Sequence, residues 1–169
     1  IFFKKITYDI FDFDADGDLD IFFIAEGNPT VTEVLLNQGN YIFKNIPLQL
    51  PHQYKDATIA HYDFTKDGFQ DVYLAGQIND TIVTGNLFKN DSGKALITLE
   101  TKLKKHLPAV INGQVIIQRF NNNDSPDIYI RGQRSFSYRD VVSEIFEINL
   151  QEEELFSLSD DLPFFVFET

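Results

Sequence analysis

The chain has no cysteine, no methionine and no tryptophan, and its 14 Lys and Arg are outnumbered by 26 Asp and Glu. Each shortage excludes something. Without cysteine there is no disulfide, no zinc–thiolate site and no thiol nucleophile. A formal net charge of −12 sets the surface against nucleic acid and anionic membranes. No window approaches the roughly twenty apolar residues of a transmembrane helix. Ile1-Phe2-Phe3-Lys4-Lys5 has neither the order nor the length of a secretory signal. With no methionine, Ile1 is not a translation start, so the sequence reads as processed or excerpted from a longer one. His52, His61 and His106 are scattered, and neither G-x-S-x-G nor a phosphate-binding loop occurs. What the chain does have is apolar bulk, 43% of residues with 17 Phe, ample for a packed core.

Its most concentrated chemistry is Asp12-Phe13-Asp14-Ala15-Asp16-Gly17-Asp18-Leu19-Asp20. Carboxylates about 5 Å apart repel by about 1 kcal/mol per pair in water, and by more near a protein surface. A compact turn made of this stretch therefore calls for a positive partner, and it contains no Lys or Arg. Ca2+ suits it, because that ion takes six to eight oxygens at about 2.3–2.6 Å. In a D-x-D-x-D-G loop the acids at positions 1, 3 and 5 turn inward and glycine permits the bend. The expected ligands are the side chains of Asp12, Asp14, Asp16 and Asp20, with the main-chain carbonyl of Asp18. An EF-hand would need Glu where Phe23 stands. Ile6, Tyr8 and Ile10 alternate with Thr7 and Asp9 before the loop, and Ile21-Phe22-Phe23-Ile24 follows it, so it joins two strands rather than two helices.

The stretch recurs. His61-Tyr62-Asp63-Phe64-Thr65-Lys66-Asp67-Gly68-Phe69-Gln70-Asp71 overlays it at a shift of 51 residues, and residues 118–130 overlay that segment 56 further on. Leu50-Pro51, Leu107-Pro108 and Leu162-Pro163 keep the same period, and Leu36-Asn37-Gln38-Gly39 is echoed by Phe88-Lys89-Asn90-Asp91-Ser92-Gly93. Each repeat reads as four short strands. They are expected at 6–11, 19–25, 31–37 and 41–47; at 57–62, 70–76, 82–89 and 95–101; and at 113–119, 126–131, 141–149 and 154–158. The implied units are 1–50, 51–107 and 108–162, with 163–169 starting a further strand. Repeats of about 50 residues with four strands each are the blades of a β-propeller, so the fold class is all-β.

Asp-Phe-Asp-Ala-Asp-Gly-Asp-Leu-Asp, with the later Leu-Leu-Asn-Gln-Gly and Leu-Pro, resembles the FG-GAP/VCBS repeats of integrin α-subunit propellers and secreted bacterial proteins. The resemblance implies a propeller whose inter-strand loops bind calcium, secreted or displayed at the cell surface. Its departures lie in the second and third loops. The second keeps Asp63, Asp67 and Asp71 but has Thr65 and Lys66, which makes a weaker site or one using Lys66 as its substitute charge. In the third, Arg119 replaces the first acid, Asn123 the third and Asp124 the glycine; Arg119 pairing with Asp127 would hold that turn without metal.

One link breaks the acidic pattern: Arg131-Gly132-Gln133-Arg134-Ser135-Phe136-Ser137-Tyr138-Arg139-Asp140. Arg131, Arg134, Phe136, Tyr138 and Arg139 form either a contact surface for a partner or a set of charges neutralised locally by acids. Taken together, the expectation is a non-enzymatic, calcium-stabilised scaffold that recognises a protein or glycan through loops. The alternative is a propeller domain of a secreted polysaccharide-degrading enzyme. The sheet faces would be completed by further blades or by a second copy.

Overall fold

The computed structural model describes residues 2–100, 107–121, 123–136, 140–150 and 154–158. They form twelve strands in three antiparallel four-stranded meanders. The first sheet runs β1 (Lys5–Phe11), β2 (Asp20–Glu26), β3 (Val31–Asn37) and β4 (Phe43–Pro47). The second holds β5 (Lys55–Tyr62), β6 (Asp71–Asn79), β7 (Ile82–Asn90) and β8 (Leu96–Thr98), and the third β9 (Ile111–Gln118), β10 (Asp127–Gln133), β11 (Val141–Asn149) and β12 (Glu154–Ser157). Among the described residues there is no helix long and apolar enough to cross a membrane.

Most expected strands lie within a residue or two of these bounds, and the differences have local causes. β4 starts at Phe43 rather than 41 because Asn40 and Tyr41 take positive φ (52° and 63°), closing a turn in which Ile42 N donates to Gly39 O at 3.0 Å. β6 runs on to Asn79, where a register shift after Gln77 lets it pair with Ile82. Leu162-Pro163 and the strand expected over 163–169 lie outside the described residues.

The sheets stack face to face around two cores. Phe11, Phe22, Ile24, Val34 and Leu36 of the first sheet meet Ile59, Val72, Leu74 and Phe88 of the second, with Phe13 added from the β1–β2 loop. Ala60, Tyr73, Ala75 and Leu87 on the second sheet's other face meet Val115, Ile117, Ile128, Ile130 and Ile148 of the third. The middle sheet is thus covered on both faces, and β6 opens with six buried residues in a row, as a doubly covered strand should. β1 and β9, covered on one side, alternate. The uncovered face of the first sheet is apolar: Ile6, Tyr8 and Ile10 stay 56%, 63% and 47% exposed.

β1 packs on β5 and β5 on β9, so the first strand of each sheet lies beside its counterpart, the arrangement of inner strands in propeller blades. The first junction is also polar. Lys5 Nζ lies 2.9 Å from Asp56 Oδ1, His61 Nδ1 lies 2.8 Å from Asp9 Oδ2, and the His61 ring stacks on Phe11 at 4.4 Å. All three Asp loops, which connect β1–β2, β5–β6 and β9–β10, come out at one end of the stack.

Candidate metal centre

The first loop is shaped by its own aspartates. Asp12 accepts from Asp16 N (3.1 Å) and Gly17 N (3.0 Å), and Asp16 Oδ1 accepts from Asp18 N (2.9 Å). Such side-chain-to-backbone bonds are how Asp fixes a turn. Gly17 sits at φ +96° and Ala15 at +59°. Asp20 is buried, with both oxygens engaged: Oδ2 accepts from Phe13 N (2.8 Å) and Oδ1 from Asn37 N (2.7 Å). It thereby ties the loop to β3.

Asp12, Asp14 and Asp20 each bring one carboxylate oxygen within 4.8 Å of the others. Oxygens on opposite sides of a calcium ion would be about 4.6–5.2 Å apart, twice the bond length, so the three fit one coordination sphere. Asp14 Oδ1 is buried without a hydrogen-bond partner. Its carboxyl is pushed above the ordinary value of 3.8 by burial, then by the fields of Asp16 and Asp20, against a lowering hydrogen bond from the Asp16 amide. A buried, unpartnered carboxylate oxygen crowded by like charges is what a cation would satisfy. The residues present therefore fit Ca2+. Asp16 and Asp18 lie outside the three-oxygen cluster, both exposed.

The second loop copies this backbone. Asp63 accepts from Asp67 N (3.1 Å) and Gly68 N (3.0 Å), Asp67 Oδ1 from Phe69 N (3.1 Å), and buried Asp71 from Thr65 N and Asn90 N (2.8 Å each). Lys66 and Gly68, at φ +57° and +90°, stand where Ala15 and Gly17 do. Its cation comes from elsewhere than expected. Lys89 on β7, not Lys66, places Nζ 3.0 Å from Asp67 Oδ2. That contact draws the Asp67 carboxyl below its ordinary value and raises the Lys89 ammonium. Asp71, desolvated, is pushed up against the lowering effect of its amide bonds.

The third loop is tied differently again. Asp127 accepts from Phe120 N (2.7 Å) and Asn121 Nδ2 (3.4 Å), and Asn123 Nδ2 donates to Glu147 at 2.6 Å. Arg119 lies 3.4 Å from Asp124, which corrects the expected pairing with Asp127. Asp127 is buried with its oxygens facing loop amides, leaving the exposed Asp124 as the acid Arg119 reaches.

Sequence reasoning missed Asn90. Fully buried, it donates to Phe13 O (2.8 Å) in the first loop and to Gln70 O (3.0 Å) in the second, and accepts from Gly93 N (2.8 Å). One side chain thus joins two neighbouring Asp loops. Gly93, at φ +72°, lets the turn reach Asp14: a Cβ there would fall 2.5 Å from Asp14 Cβ. The available signal was the recurring Asn-Gln-Gly and Asn-Asp-Ser-Gly landmark, which marked the repeat without disclosing the contact.

The basic link emerges between β10 and β11, at the end opposite the Asp loops. Arg134 pairs with Glu144 on β11, so its charge is met locally, while Phe136 stays exposed and Arg131 lies on β10. Tyr138 and Arg139 lie outside the described residues.

These observations define a class: an all-β repeat protein whose four-stranded sheets stack like propeller blades and carry Asp-rich loops at one end. The model of the FG-GAP-like repeat matches residues 12–74, and over that stretch the chain is similar to an FG-GAP-like repeat. The matched segment begins at the first carboxylate of the first loop and ends in β6 beyond the second, so the repeat straddles two sheets and contains both loops. No curated protein and no solved structure matches the chain.

Proposed function

We propose that the protein is a calcium-stabilised recognition scaffold working outside the cell, binding a protein or glycan through loops rather than catalysing a reaction. The observation that carries the calcium part is the convergence of Asp12, Asp14 and Asp20 around the buried, unpartnered Asp14 Oδ1. Asp16 and the Asp18 carbonyl would complete the shell. The ion's role is structural: it neutralises the aspartates and locks the β1–β2 turn against the second sheet, coupling binding to folding. Exposed Leu19, Tyr41 and Ile42 stand at this same end of the first sheet. Apolar and aromatic tips on a fixed frame are suited to contact. The FG-GAP-like match over residues 12–74 and the resemblance to surface-displayed repeats support the extracellular setting.

Calorimetric titration with Ca2+ should give a saturable exotherm or endotherm that vanishes in Asp14→Ala/Asp16→Ala. Incubation with a panel of acidic polysaccharides then separates scaffold from enzyme. Retention without cleavage is expected; cleavage above a heat-inactivated control would overturn the non-catalytic reading.

A further inference from the structure

One strand position distinguishes the three loops. In the third sheet Asp127 pairs directly with Glu147. One register step beyond Ile21↔Leu35 sets Leu36 opposite Asp20, and one step beyond Val72↔Phe88 sets Lys89 opposite Asp71. The residue beside the closing aspartate is therefore Leu36, Lys89 and Glu147 in turn. Buried Leu36 belongs to the first core and leaves the five carboxylates of its loop uncompensated. Glu147 accepts from the Asn123 amide in a loop that has exchanged acids for asparagines. Lys89 alone brings a positive charge to its loop from outside it.

We propose that Lys89 is the resident cation of the second loop, closing it without a divalent ion, whereas the first loop, with Leu36 at the same strand position, has no such cation. Charge counting agrees. The first loop has five carboxylates and no ammonium, whereas the second sets Asp63, Asp67 and Asp71 against Lys66 and Lys89. The second loop keeps the first aspartate's two amide bonds and the glycine, with Asp71 taking the Thr65 amide where Asp20 takes that of Phe13. It holds this turn with the ammonium in place, and what it leaves buried and unpartnered at the third position is a neutral hydroxyl, Thr65 Oγ1, not a carboxylate. The Lys89 amine reaches Asp67 directly, and Asp71 and Asp91 add to the field that holds it protonated. Removing Lys89 would leave three carboxylates and the Thr65 hydroxyl around a loop already folded to the calcium-loop shape, and a divalent ion is the natural replacement.

The inference rests on the calcium reading of the first loop only for the choice of ion, and its test separates the two. Ca2+ is titrated calorimetrically into four proteins whose fold is checked by circular dichroism. They are the parent, Asp14→Ala, Asp14→Ala/Lys89→Gln and Asp14→Ala/Lys89→Arg. The expected result is binding in the parent, none in Asp14→Ala, a new weak site in the Gln variant, and none in the Arg variant. Residual calcium binding by Asp14→Ala that maps to Asp63, lost on further Asp63→Ala, would overturn the proposal. So would a folded Gln variant that takes no calcium. If that variant does not fold, Lys89→Gln alone is titrated; a doubled stoichiometry supports the proposal and an unchanged one refutes it. A parent that binds nothing while the Gln variant gains a site would sink the first-loop reading and leave this one standing.

Discussion

The first and second Asp loops have the same backbone and different electrostatics. In both, the first aspartate accepts from the amides four and five residues on, a glycine at positive φ follows, and the closing aspartate takes one amide from its own loop and one from the third strand. Yet the buried oxygen left unpartnered at the third position is a carboxylate's in the first loop, Asp14 Oδ1, and a neutral hydroxyl's in the second, Thr65 Oγ1, where an ammonium also joins the cluster. The turn is thus specified by short-range amide bonds and glycine, and its electrostatics by what faces it. The spacing D-x-D-x-D-G marks a shape first. On the proposed reading, whether that shape holds a metal depends on an acid at position 3 and on a strand residue far along the chain.

The largest expected effect tests whether the two loops are mechanically joined. Asn90→Ala removes buried bonds to Phe13 O, Gln70 O and Gly93 N. At about 1 kcal/mol per bond, with more for carbonyls left dry, the loss should reach about 3 kcal/mol in chemical denaturation. The equivalent Asn37 makes a long bond to Leu19 O (3.3 Å) and a local one from Gly39 N, so Asn37→Ala should cost about 1 kcal/mol. Equal losses would mean the loops are independent and Asn90 is an ordinary turn residue.

Next in size is calcium itself. At a hundredfold excess over its dissociation constant the ion should add about 2.7 kcal/mol, seen as a melting temperature that falls when chelator is added. Asp14→Ala/Asp16→Ala should abolish that response, while Thr65→Ala/Asp67→Ala, the matching pair in the second loop, should leave it intact. A melting temperature indifferent to chelator in the parent would collapse the distinction between the loops.

Much of this was legible in the sequence, for physical reasons that differ by element. The strands announced themselves because β-branched and aromatic runs are punctuated by Gly, Pro and Asn, and the repeat fixed their number. Asp12, Asp14 and Asp20 converge in the first loop, and that it gathers carboxylates was legible from five acids in nine residues. The partners of Asp67 and Asp124 were not. Lys66 and Arg119 were nearest to the acids in sequence, but a side chain in a turn points where its φ sends it, and Lys66 sits in the left-handed region. Lys89 arrives through strand register, and Asn90 through the stacking of one sheet on the next. Neither relation has a signature in a single repeat.

A smaller effect should separate side-chain ligands from a carbonyl ligand. Asp18 is exposed and its amide donates to Asp16. If only its carbonyl meets the ion, Asp18→Asn should weaken calcium binding less than tenfold, under about 1.4 kcal/mol, through the lost charge alone. A loss matching that of Asp14→Ala in the same calorimetric titration would make the Asp18 carboxylate a direct ligand.

The subtlest difference is in response to acid, and its sign is opposite in the two loops. Without calcium, folding raises the Asp14 carboxyl above 3.8, through burial and then Asp16 and Asp20. The folded chain therefore binds that proton more tightly than the unfolded one, and this group costs stability as pH rises from 3.8 through its folded value. Asp67 is lowered, chiefly by its hydrogen bond from Lys89, so it contributes stability above 3.8 that is lost as pH falls through its folded value. In chelator at about pH 7, Asp14→Asn should be more stable than the parent and Asp67→Asn less stable. Both differences should shrink toward zero on acidification. Buried Asp71 and Asp127 also titrate upward, but they are common to parent and variants and cancel in the comparison. Urea denaturation across this range reads the two differences directly. Saturating calcium should reverse the Asp14→Asn effect, because the variant's neutral amide is a weaker ligand than the carboxylate, and leave that of Asp67→Asn unchanged. Variants that shift in the same direction in chelator would show that the first loop closes as the second does, with its charge already met from within the protein.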